Sequence, residues 1–251
     1  MTIGVEETRR IVSEYDADSI TIGVLGSHSA EEVGVSSKTM GFKTLVVCQR
    51  GREELYAKYN KHLFDHVLMV DRFSDIAREE VQEKMTSLNT IFIPNRSFSV
   101  YVGYDNIEKV FRVPIYGNRM ILRAEERGEE RNQYWLLEKA GIRMPRRFSK
   151  PEEIDRLAIV KVQQKKKPLE RAFFYASSPE EYYRKAEELV RRDVVSEEGL
   201  RKARIEEYVL GQKFNANFQG WALKDTFDDF DLLGFDDRKQ TNLHGILALP
   251  A

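Results

Sequence analysis

Between Ser19 and Pro94 the chain alternates short β-branched apolar runs with segments of helical spacing, and this alternation constrains the fold more than any other feature. The apolar runs are 19–25, 43–48, 66–70 and 90–94, and helical patterns cover 5–15, 53–59 and 76–88. Strands that alternate with helices at this spacing are joined by crossovers, which predicts an α/β fold with a doubly wound parallel sheet. Ligands of such a sheet bind beyond the carboxyl ends of the strands. Those ends are Gly26-Ser27-His28-Ser29-Ala30 and Asn95-Arg96-Ser97-Phe98. The first is a strand that runs into a loop and a helix N-terminus, a common setting for phosphate binding. His28 and Ser97 occupy equivalent places after two strands, and both can hydrogen-bond a polar small molecule. His28 also reads as an ordinary capping or loop residue.

Residues 113–119 read as a strand and turn, followed by a helix over 120–127 whose arginines Arg119, Arg123 and Arg127 fall near one face. They form either a phosphate or carboxylate clamp or a solvated basic face. The character changes at 128–130, which predicts domains at 1–127 and 128–251. In the second, a helix over 131–140 and a polar connector over 145–155 precede strands at 157–162, 172–176, 204–210, 213–218 and 231–235. Ser178-Pro179 opens a helix with an N-cap and a proline at its first position, and Ser196 opens a shorter one. This is an α+β arrangement.

Residues 203–214 place an acidic pair before an apolar run and a glycine. Adenine needs a backbone acceptor, a backbone donor and apolar cover on both faces, and an extended connector with a free edge supplies all three. Glu206 would offer the carbonyl and Val209 the N–H. A plain antiparallel strand turning at Gly211 is the other reading. Lys161 interrupts the apolar strand Ala158-Ile159-Val160-Lys161-Val162, so it either meets an anion such as an ATP phosphate or lies on an edge strand facing solvent. The basic loop 163–171, with Lys165, Lys166 and Lys167, either covers nucleotide phosphates or is simply solvated.

Net charge is −1 and the charges are interspersed. That removes a general electrostatic case for nucleic acid or for an anionic membrane. Cys48 is the single cysteine and sits inside an apolar run, which suits a buried inert thiol and excludes a disulfide framework. The N-terminus lacks the apolar stretch of a signal peptide, and no segment is long enough to span a bilayer, so a cytoplasmic location is expected. Asp228, Asp229, Asp231, Asp236 and Asp237 make an acidic cluster that reads as a metal site or a solvated turn.

Taken end to end, the chain resembles the archaeal PurP family of the ATP-grasp superfamily. The resemblance runs through Ile20 to His28, Phe73-Ser74-Asp75-Ile76, Tyr104-Asp105-Asn106, Val113-Pro114-Ile115-Tyr116-Gly117-Asn118-Arg119, Ile159-Val160-Lys161, Ile205 to Gly211 and Leu232-Leu233-Gly234, and on to Pro250-Ala251. It implies a Rossmann-like pre-ATP-grasp domain followed by an ATP-grasp region that is incomplete here. The family continues past Ala251 with the acidic ligands for Mg²⁺. The implied activity is an ATP-dependent ligase of purine biosynthesis that formylates AICAR with formate to FAICAR through formyl phosphate. His28, Ser97, Arg119 and Arg123 would bind AICAR. Lys161, Glu206, Glu207, Tyr208, Val209 and Gln240 would bind ATP, and ATP and Mg²⁺ are the implied cofactors. AICAR and formate are the implied partners, in a homo-oligomer without nucleic acid or membrane; catalytic and metal residues stay unassigned. Four positions depart from the family pattern, one of them an ATP contact, usually glutamate, that is Gln240 here. In the other three, the glycine-rich loop is the glycine-free stretch 163–171, a His-Gly pair is Asn95-Arg96, and a tryptophan is Ala124. A non-catalytic nucleotide-binding paralog or subunit is the alternative reading.

Overall fold

The computed structural model describes residues 2–126, 129–162, 173–211, 214–224 and 230–237. Their contacts divide the chain into one unit of Met1–Leu136 with Gln219–Asp231, and another of Leu137–Phe218 with Leu232–Ala251. The expected boundary at 127 and 128 falls on residues outside those described.

The first unit opens with α1 (Val5–Ser13), β1 (Thr21–Leu25), α2 (Ala30–Thr39), β2 (Lys43–Gln49) and β3 (His66–Val70). It continues with α3 (Glu79–Thr86), β4 (Thr90–Ile93), α4 (Arg96–Val102) and α5 (Tyr104–Lys109). The four strands form a parallel sheet in the order β3-β2-β1-β4, with Thr21 level with Lys43 on one side and Thr90 on the other. Winding runs from β1 outward through β2 to β3 and then returns to β4, so β1 stands at the switch point. Both faces are covered. Leu25, Leu45 and Val47 pack on one side with Phe73, Met85, Phe92, Phe98 and Phe111, while Val24, Val46 and Cys48 pack on the other with Tyr56, Leu63 and Phe64. That two-sided burial is why β2 reads as an unbroken apolar run. Gly23 is fixed by close approach, because a Cβ there would lie 2.6 Å from Thr90 Cγ2.

Local departures from the sequence reading have identifiable causes. The helix expected over 53–59 is a π-helical turn, Leu55–Tyr59, with Asn60 N–H reaching back to Leu55 O. The helix expected over 76–88 is split, because Arg78 takes an extended backbone (ψ 144°) between the 3₁₀ turn Phe73–Ala77 and α3. The strand expected at 113–119 is a single parallel bridge of Ile115 to Phe92. Pro114 has no N–H to extend the ladder, and Gly117, at φ 86°, turns the chain away. The segment that follows is a 3₁₀ helix, Arg119–Glu125.

The helix α6 (Gln133–Lys139) is followed in the second unit by β5 (Arg147–Phe148), β6 (Ala158–Lys161), β7 (Phe173–Ala176), α7 (Pro179–Arg191), α8 (Glu197–Arg201) and β8 (Arg204–Glu207). These strands form an antiparallel sheet in the order β5-β8-β6-β7. One face, with Ala158, Val160, Phe174, Ala176 and Ile205, packs on Tyr182 and Ala186 of α7. Ser178 Oγ caps α7 by accepting from Glu181 N–H, as its sequence position predicted. β9 (Phe214–Gly220) and β10 (Phe230–Asp237) pair as a two-stranded ribbon. No helix among the described residues is long and apolar enough to cross a membrane.

Candidate functional site

At the carboxyl end of the parallel sheet, the loop after β1 and the start of α4 are joined through side chains. Asn95 caps α4 by accepting from Phe98 N–H (3.0 Å), while its Nδ2 donates to Leu25 O (3.0 Å) and to His28 O (2.8 Å). One side chain therefore terminates β4, starts α4 and fixes the β1 loop. Ser97 Oγ donates to Ser27 Oγ at 2.8 Å, so the two serines that follow β1 and β4 touch. His28 is exposed and shares a 2.7 Å hydrogen bond between its Nδ1 and Ser29 Oγ, which leaves Nε2 as its available nitrogen. Tyr56 OH donates to Ser27 O (3.2 Å) and closes the loop from the other side.

A cavity of about 390 Å³ lies here, lined by residues 26–32 with Arg52, Leu55 and Tyr56. Gly26 is one of its lining residues. A Cβ at that position would stand 3.1 Å from Cys48 Sγ, from Tyr56 Cδ2 and from Val47 O. Burial, with the nearby Glu53 charge, pushes the Cys48 thiol up to about 12, so it stays protonated beneath the loop. Larger cavities of about 700 and 780 Å³ lie elsewhere in this unit and contain neither His28 nor Ser97.

The expected arginine clamp is not what the fold builds. Arg119 is 7% exposed and donates to Ile107 O (2.7 Å) and Phe111 O (2.6 Å). Burial pulls its guanidinium down to about 10, still charged at neutral pH. Arg123 is engaged by carboxylates: Nε donates to Glu108 Oε1 (2.9 Å), Nη2 donates to Asp105 Oδ1 (3.0 Å), and Glu129 is also near. The two side chains diverge because positions four apart in a 3₁₀ helix lie about 120° apart, whereas an α-helix would align them. Arg127 lies outside the described residues. Arg52, on the turn after β2, was missed; its signal in the sequence is Arg50-Gly51-Arg52 directly after a strand.

In the second unit, strand alternation puts Arg204, Glu206 and Tyr208 on one face with Ile159, Lys161, Phe173 and Tyr175, opposite the face packed on α7. Lys161 Nζ donates to Glu206 Oε1, and Arg204 Nε donates to Glu206 Oε2 (2.6 Å). Glu206 is 5% exposed. Burial pushes its carboxyl up, but the hydrogen bonds and charges of Lys161 and Arg204 more than compensate and hold it below the usual glutamate range. Lys161 thus sits on an inner strand and already has an anion, and two cations share one carboxylate. The rings of Tyr175 and Tyr208 meet edge to face at 4.9 Å.

The connector also differs from the expected free edge. β8 is flanked by β5 and β6; its last residue, Glu207, donates its N–H to Arg146 O (2.8 Å), and just beyond it Tyr208 N–H donates to Leu157 O (2.8 Å). Glu207 turns its carboxylate to Arg146 N–H (3.3 Å) and toward Arg156 (3.6 Å). Val209 and Leu210, outside any strand and 59% and 69% exposed, lie past the paired stretch with Gly211. Gln240 and the lysine loop lie outside the described residues.

Among the described residues no three His, Cys, Asp or Glu side chains gather as a metal site. Asp231 accepts from Trp221 Nε1 (2.9 Å), and Asp236 accepts from Asn215 and Asn217. Asp228 and Asp229 lie outside the described residues.

Comparison with known proteins places this geometry in context. Residues 22–148 match a family model described as a protein of unknown function, DUF1246, and residues 181–251 match a domain of unknown function, DUF1297. A protein of Methanopyrus kandleri called 5-formaminoimidazole-4-carboxamide-1-(beta)-D-ribofuranosyl 5'-monophosphate synthetase is 42% identical over 98% of this chain. A protein of the same name in Methanocaldococcus jannaschii is 41% identical over 99% of the chain. The chain spans 66% of the length of each of these relatives. Among solved structures, an IMP biosynthesis protein PurP from Thermococcus kodakaraensis aligns over 91% of this chain and 64% of its own, with a TM-score of 0.57 and 20% identity. An ADP complex of PurK, N5-carboxyaminoimidazole ribonucleotide synthetase, aligns over 89% of this chain and 55% of its own, with a TM-score of 0.60 and 11% identity. These two show the fold, a mixed α/β fold of ATP-grasp type. With one family model over half of the sequence and colinear relatives along nearly all of it, the chain belongs to the DUF1246 family, and the PurP resemblance read from its motifs holds.

Proposed function

We propose that the protein is an ATP-dependent ligase of purine biosynthesis that joins formate to the exocyclic amine of AICAR and yields FAICAR, ADP and phosphate. The observation that carries this reading is 42% identity over 98% of the chain to a synthetase named for that product. The serine pair Ser27 and Ser97, with His28, supports a polar nucleotide site in the first unit. The face carrying Lys161 and Arg204 supports ATP binding in the second, because it gathers two cationic side chains of the kind that hold phosphate. Val209 and Leu210 would cover the adenine. Mg²⁺ would neutralise phosphate charge during acyl transfer; the described carboxylates do not supply its site, and no step is assigned to it. The gain in rate would come chiefly from holding the reactants together. A cytoplasmic homo-oligomer is part of the proposal.

The test is ADP release by the purified protein with ATP, Mg²⁺, formate and AICAR, with FAICAR identified chromatographically. ADP release that requires both AICAR and formate is expected. Nucleotide binding without turnover would overturn catalysis, and no binding of AICAR would overturn the substrate.

A further inference from the structure

The loops after β1, β2 and β4 are neighbours at the carboxyl end of one sheet, and their arginines are Arg50, Arg52 and Arg96. Arg50 is engaged by Asp71 (2.8 Å) and Arg96 by Glu126 (2.7 Å). Arg52 has no carboxylate partner among the described residues, and it is the only cation among the residues lining the His28 cavity. Its position is nonetheless fixed. Arg52 N–H donates to Gln49 O (2.9 Å) across a turn whose third residue, Gly51, has φ 81°, the pattern of a type II turn. The guanidinium carbon lies 5.9 Å from the ring centres of both Phe73 and Tyr101, and Nη1 donates to Tyr101 OH at 3.3 Å. Tyr101 belongs to α4, the helix that carries Ser97. One of five N–H donors is thus used, and the planar fork remains for a bidentate acceptor.

We infer that Arg52 is a specificity-determining residue that holds the phosphate of a nucleoside monophosphate in this cavity, while His28 and Ser27 of the same lining face the rest of the ligand and Ser97 reaches it through Ser27. This rests on reading the crevice as the site of a monophosphate substrate. Glu31 and Glu32 also line the cavity and disfavour an anion there. Glu31 is engaged by Asn60 Nδ2, and Arg52 is the one guanidinium in the lining that can offset part of their charge where a phosphate would sit. A guanidinium held against two rings also keeps its geometry at little entropic cost.

The inference is tested by calorimetric titration of the wild type, Arg52→Ala and Arg52→Lys with AICAR, with its nucleoside lacking the phosphate, and with inorganic phosphate. Arg52→Ala is expected to weaken AICAR about 10- to 100-fold and abolish phosphate binding, with nucleoside affinity unchanged. Arg52→Lys should recover only part of the loss. Equal loss of AICAR and nucleoside would make Arg52 a prop for the loops and overturn the inference, as would unchanged AICAR affinity. If the wild type binds neither AICAR nor nucleoside, the substrate reading fails and the phosphate arm decides. Phosphate bound by wild type and lost in Arg52→Ala upholds the anion role, and any other result ends it.

Discussion

The Lys161, Glu206, Arg204 cluster makes a quantitative prediction about how the second unit is held together. Glu206 is buried, and its two oxygens are taken by different cations. Lys161 and Arg204 stand directly opposite each other across β6 and β8, with side chains 23% and 21% exposed. Lys161→Met leaves the carboxylate with Arg204 as its partner, so the loss is one charge-assisted hydrogen bond, about 1–3 kcal/mol. Glu206→Gln removes the charge that both cations share at this point and is expected to cost more, about 2–4 kcal/mol, the burial penalty being moderated by partial exposure of both cations. The double variant removes the conflict, so the two effects should fall short of additive by about 1–2 kcal/mol. The assay is urea unfolding of all four proteins followed by circular dichroism, with hydrogen exchange of the β6 and β8 amides to localise the change. At this chain length each kcal/mol corresponds to roughly 2–4 °C in melting temperature. A coupling below about 0.5 kcal/mol would refute the shared-carboxylate argument.

Three further outcomes follow from the geometry. Gly26→Ala should destabilise the protein by about 1–3 kcal/mol, because the new methyl meets Cys48, Tyr56 and the Val47 carbonyl at 3.1 Å, and thermal melting reads this directly. Arg119→Met should cost on the order of 3 kcal/mol by stranding Ile107 O and Phe111 O, yet leave ligand affinity per folded molecule unchanged; a selective loss of AICAR binding would restore Arg119 to the site. Glu206 and Asp65 are each pushed up by burial but held below their ordinary values by their partners, and Glu126 is held down by Arg96 and Tyr104. Groups whose folded values are depressed stabilise fully above their unfolded values, so the urea midpoint should hold from pH 7 to about 5 and fall below about 4.5, whereas a flat midpoint to pH 3 would contradict this.

The parts of the fold legible in the sequence are those where a local pattern and its tertiary role coincide. β2 reads as a strand because residues 44–48 are buried on both faces, and Ser178-Pro179 reads as a helix start because capping is local. For the candidate site the strand-end rule names the loops that the structure joins, after β1 and β4, but not their contacts. Arg119 and Arg123 align only if their segment is α-helical, and a change to 3₁₀ geometry sends one inward. The partner of Lys161 is 45 positions away in sequence and is fixed by strand register. The cap that Asn95 forms was not read from the sequence, and its bonds to Leu25 and His28 depend on the adjacency of β1 and β4.

Asn95 also has a kinetic consequence. With the carbonyls of Leu25 and His28 tied to the helix that bears Ser97, the two walls of the crevice form one assembled piece before any ligand arrives. A ligand entering it has little backbone left to order, so the encounter should proceed in a single phase. Differences in affinity among nucleotides would then appear in how long each one stays.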